Sequence, residues 1–61
     1  MTKNGAIAKA KRLTAKMNDI TVIEKDKDYD VIHSEYIDEF IEDGYTKVIS
    51  FRYDYGVVKE V

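Results

Sequence analysis

Cysteine, proline and tryptophan are missing from this chain of 61 residues, and histidine occurs once, as His33. Without cysteine no disulfide can staple the fold, and one histidine cannot complete a zinc site of the usual nitrogen and sulfur ligands. A chain this short buries only about 60% of the surface its unfolded form exposes, so its stability is thin. Oligomerisation is the remaining device that small scaffolds use to add to it, which makes a homodimer an expectation. Glycine is scarce: Gly5, Gly44 and Gly56 stand alone, so no glycine-rich loop cradles a phosphate. No apolar run approaches the roughly 20 residues that cross a bilayer. The most apolar N-terminal window, Ala6 to Ala10, is interrupted by Lys9, unlike a signal-peptide core. The lack of cysteine fits a reducing cytoplasm, and no membrane partner is expected.

What the chain does contain is charge, unevenly placed. Hydrophobic residues make up 44% and aromatics number seven, a composition of folded proteins rather than of acidic tails. Residues 1–18 hold five bases and no acid, while residues 19–61 hold five bases and twelve acids. The net charge of −2 therefore conceals a basic start and an acidic remainder. Asp26 to Asp43 alone carries eight carboxylates against one base, Lys27.

The pattern reads as α-β-(β)-α-β-β, a single small α+β domain over residues 1–61. Residues 1–18 form a basic amphipathic helix, because Ala6, Ile7, Ala10, Leu13, Thr14 and Met17 fall at spacings of three and four. Thr2 or Asn4 is placed to cap its start, and Asn18 its end. Residues 19–33 form a strand or hairpin: Ile20 to Ile23 is β-branched throughout, and a second strand over Tyr29 to His33 follows a turn at Asp26 to Asp28. Residues 34–44 form an acidic helix with Ser34 at its N-cap and Gly44 as a left-handed C-cap. Tyr36, Ile37, Phe40 and Ile41 mark its apolar face. Residues 45–61 form a C-terminal hairpin, with Tyr45, Lys47, Ile49, Phe51 and Tyr53 on one face and a three-residue turn at Asp54, Tyr55 and Gly56. An antiparallel sheet of three or four strands, with one or both helices on one face, is expected.

Candidate chemistry fails on inspection of spacing. Asp26, Asp28 and Asp30 resemble the opening of an EF-hand loop, but Val31 stands where its glycine belongs and Ile37 where its bidentate glutamate belongs. His33, Ser34 and Glu35 are adjacent at a strand-to-helix junction, which seldom gives nucleophile, base and orienting acid a shared pocket. No enzyme, metal or cofactor is expected.

Glu35, Asp38, Glu39, Glu42 and Asp43 line the polar face of the acidic helix and repel one another at spacings of three and four. Glu42 and Asp43 also lie at the end where the helix dipole disfavours them. This local cost suggests a protein-binding module that presents an acidic, phosphate-mimicking face to a basic, nucleic-acid-binding protein. Cysteine-free, acidic and without motifs, the chain is like small viral inhibitors of host proteins in composition only. Tyr55, at a hairpin tip, is the best single contact residue. The alternatives are nucleic-acid binding through Lys9, Arg12 and Lys16, and a structural protein that self-associates by joining its basic helix to the acidic face of another copy.

Overall fold

The computed structural model describes residues 1–61 as one α+β unit of four strands and two helices. Helix α1 spans Lys3–Thr14. Its start is set by Thr2, whose hydroxyl accepts the Gly5 N–H at 3.0 Å, a serine/threonine cap. Ala6, Ala10 and Thr14 recur every four residues and are fully buried, so small side chains bring the helix close to the sheet. The helix ends before the expected Asn18. Met17 turns left-handed (φ 70°) and the Asn18 side-chain amide donates to Leu13 O at 3.0 Å, so the chain reverses toward the sheet. Met17, expected on the apolar stripe, is consequently 76% exposed.

Strands β1 (Ile20–Lys25), β2 (Asp28–His33), β3 (Thr46–Asp54) and β4 (Val57–Glu60) form one sheet in the order β2-β1-β3-β4, antiparallel at every pairing. The central strand β1 explains its own composition. Ile20 and Val22 join Phe51, Ala6 and Ala10 in the main core beneath α1. Alternation sends Thr21 and Ile23 to the opposite face, yet these are also at most 1% exposed. Both faces of β1 are thus covered, which is why it is apolar and β-branched without alternation.

The second cover is the crossover from β2 to β3, a 3₁₀ turn (Ser34–Tyr36) followed by helix α2 (Ile37–Glu42). These two strands run parallel with β1 between them, so their connection passes over one face of the sheet. Since α1 occupies one face, the helices lie on opposite faces rather than sharing one.

Two local readings change with the structure. Val22 pairs with Ile49 but Ile23 pairs with Lys47, so Val48 is an extra residue in a β-bulge. The bulge breaks strict alternation and turns Lys47 out instead of leaving it beside Ile49 and Phe51. At the C-terminal hairpin, Asp54 pairs with Val57, leaving a two-residue loop of Tyr55 (φ 50°) and Gly56 (φ 82°) in place of the expected three. Asp26 (φ 53°) and Lys27 (φ 66°) make a loop of the same kind between β1 and β2. Left-handed residues at both positions define the turn whose twist matches paired strands.

Candidate functional site

The acidic crossover is held by contacts that leave its carboxylates free. Ser34 does not cap the helix: His33 occupies the N-cap position without a side-chain bond. The Ser34 hydroxyl instead meets Thr21 Oγ1 at 2.8 Å, and Thr21 Oγ1 meets Ser50 Oγ at 2.8 Å. This chain of three hydroxyls ties the start of the crossover to β1 and β3. Competition between such local side-chain bonds and helix caps is common for serine.

At the other end α2 closes with a Schellman motif. Gly44 (φ 94°) donates to Ile41 O and Tyr45 donates to Phe40 O, each at 3.0 Å. The accompanying apolar contact is the edge-to-face pair of Phe40 and Tyr45, centroids 5.3 Å apart. Lys25 reaches across from β1, donates to Asp43 O at 2.7 Å and lies over the Tyr45 ring at 5.2 Å. A cation therefore sits where the helix carbonyls need one, which offsets part of the cost of acids at this end.

Lys25 meets the backbone of Asp43 and not its carboxylate. Glu35, Asp38, Glu39, Glu42 and Asp43 are all exposed, and none forms an ion pair within the fold. The paired acids lie elsewhere: Asp54 with Arg52 and Lys59, and Asp28 with the N-terminal amine. Asp30 is engaged by its neighbour's Val31 N–H at 2.8 Å. Asp28 and Asp30 thus have partners within the fold and the helix carboxylates have none.

The structure adds two residues to this surface. Tyr36 and Ile41, expected on the buried face of the helix, are 48% and 50% exposed: Tyr36 falls in the 3₁₀ turn before α2, and in the six-residue α2 Ile37 and Phe40 are the half-buried pair. Each has an acid on one side in sequence, Glu35 before Tyr36 and Glu42 after Ile41, so apolar area adjoins negative charge. Periodicity places them beside Ile37 and Phe40, and nothing in the sequence marks them as half-exposed.

Tyr55 stands apart from the acidic helix, on the β3–β4 turn, and is 98% exposed. Lys9, Arg12 and Lys16 are exposed and unpaired at α1 and the turn after it, across the sheet from α2. No helix is long and apolar enough to cross a membrane. Comparison with known protein families, curated proteins and solved structures finds no match.

Proposed function

We propose that this protein is a non-enzymatic binding module of the cytoplasm that lays its acidic crossover on a basic, nucleic-acid-binding surface of another protein, as a viral-type inhibitor does. The observation that carries the reading is the absence of any internal base partner for Glu35, Asp38, Glu39, Glu42 and Asp43, in a chain with ten lysines and arginines. Fixed, unpaired carboxylates resemble a run of phosphates to a basic groove and speed its encounter with the module. Exposed ion pairs contribute only about 0.2–1 kcal/mol each, so charge alone gives modest affinity. Tyr36 and Ile41 supply apolar area beside the charges, each with roughly 1 kcal/mol of burial still to gain.

Displacement tests this reading. A panel of basic nucleic-acid-binding proteins is loaded with labelled oligonucleotide and titrated with the module at two salt concentrations. Release of label from members of the panel is expected, weaker at high salt and lost on changing the five carboxylates to amides. No release from any member at low salt would count against it.

A second reading, nucleic-acid binding through α1, is supported by the separation of charges: the sheet stands between Lys9, Arg12 and Lys16 and the acidic helix. It predicts saturable binding of labelled duplex or single strands, abolished by changing these three residues to glutamate.

A further inference from the structure

The two edges of the sheet are finished differently. Antiparallel pairs alternate between residues that exchange hydrogen bonds and residues whose peptide groups point away from the partner strand. In the β1–β2 ladder, the bond from Ser34 N to Asp19 O at 2.9 Å sets that phase and turns the peptide groups of Tyr29, Val31 and His33 outward. There the Asp30 carboxylate takes the Val31 N–H at 2.8 Å, so an arriving strand finds the central donor occupied and negative charge beside it. Natural sheets blunt their edges in this way.

On the β4 edge no carboxylate is bonded to an outward N–H. The bond from Val61 N to Ser50 O at 2.9 Å sets the phase of the β3–β4 ladder and turns Val58 and Glu60 outward. No side chain is bonded to either outward N–H. Val57, Val61 and Tyr55 lie along this edge at 53%, 57% and 98% exposure. The open groove lined by Ile7, Lys11, Ile49, Phe51, Val58 and Glu60 runs beside it on the α1 face. Tyr55 is also held left-handed, a conformation that a bulky residue adopts at a cost, and at a position where its ring touches little of its own fold.

We infer that the outer edge of β4 pairs antiparallel with β4 of a second copy, about a two-fold axis at Val58. Opposed residues share a face of the sheet, so the axis must pass through a residue pair and not between residues. An axis at Lys59 or at Glu60 sets like charges directly opposite each other, which destabilises the pairing. An axis at Val58 sets Val58 against Val58, Val57 against Lys59, and Tyr55 against Val61 of the second copy. It covers the exposed tyrosine and engages the outward groups of both Val58 and Glu60. The product is an eight-stranded sheet with both α1 helices on one face and both acidic helices on the other. A single strand pair is a small interface, so the dimer is reversible.

Sedimentation equilibrium over a wide concentration range tests the pairing. The wild type is expected to follow a monomer–dimer curve. Glu60→Pro removes an outward N–H while the inward bonds of Lys59 and Val61 remain, and it is expected to weaken dimerisation by about tenfold or more. Val58→Cys places two thiols across the axis at a Cα separation of roughly 5.5 Å, within disulfide reach. On oxidation it is expected to give a covalent dimer at concentrations where Ala8→Cys, on α1, does not. A wild type that remains monomeric to millimolar concentration would overturn the inference. So would a folded Glu60→Pro variant that dimerises like the wild type, or equal cross-linking of the two cysteine variants. None of these results bears on the acidic crossover, which lies on a face of the sheet and not on its edge.

Discussion

Replacing Tyr55 with asparagine should make the protein more stable, although it removes the largest side chain of the turn. Tyr55 sits at φ 50° in a two-residue loop with Gly56. For an L-residue the left-handed conformation costs roughly 1–2 kcal/mol, and asparagine, the preferred residue at this position, tolerates it better. The ring is 98% exposed, so the substitution sacrifices almost no burial. Relief of about 1 kcal/mol follows, and in a domain of this size that raises the midpoint of thermal unfolding by roughly 4–8 °C. Tyr55→Ala is the control, because alanine has the same Cβ as asparagine but no polar side chain to bond the local backbone in the left-handed conformation, so it gains little. Circular dichroism melts at the lowest workable concentration separate this local effect from pairing between copies. An unchanged or lowered midpoint for Tyr55→Asn would refute the strain, and equal gains for both variants would show that its source is not the backbone conformation. At high concentration the same variant should dimerise less well, since Tyr55 would no longer cover Val61 of the second copy.

Thr21→Val is expected to destabilise the fold by about 1–3 kcal/mol, because the Ser50 hydroxyl, buried at 7% exposure, loses its partner. Adding Ser34→Ala and Ser50→Ala should recover most of that loss; chemical denaturation of the single and triple variants checks the sign. Asp30→Ala should leave stability within about 0.5 kcal/mol, as surface substitutions do. It frees the Val31 N–H at the second edge, so sedimentation velocity should show species larger than a dimer that the wild type lacks.

The architecture was readable because each element carries its own local signal. The four-residue spacing of Ala6, Ala10 and Thr14, the β-branched run of β1 and the isolated Gly44 and Gly56 all act over a few residues. What escaped depends on contacts between distant parts of the chain. Ser34 has the sequence context of a cap, yet its hydroxyl is drawn to Thr21, thirteen residues away. Lys47 fits the alternation of β3, and only pairing with β1 reveals the bulge that turns it out. Tyr55 and Gly56 look like part of a longer loop until Asp54 and Val57 pair. The acidic cluster was legible as charge, whereas its lack of internal partners, and the exposure of Tyr36 and Ile41 beside it, required the fold.

The central claim is that the unpaired carboxylates of the crossover bind a basic protein surface. Its most direct test compares the affinity of the wild type for a basic nucleic-acid-binding protein that it displaces from oligonucleotide with that of a variant carrying Glu35→Gln, Asp38→Asn, Glu39→Gln, Glu42→Gln and Asp43→Asn. Five exposed pairs at about 0.2–1 kcal/mol each predict a loss of at least fivefold, and a weaker salt dependence in the variant. Equal affinities and equal salt slopes for the two proteins would contradict the claim.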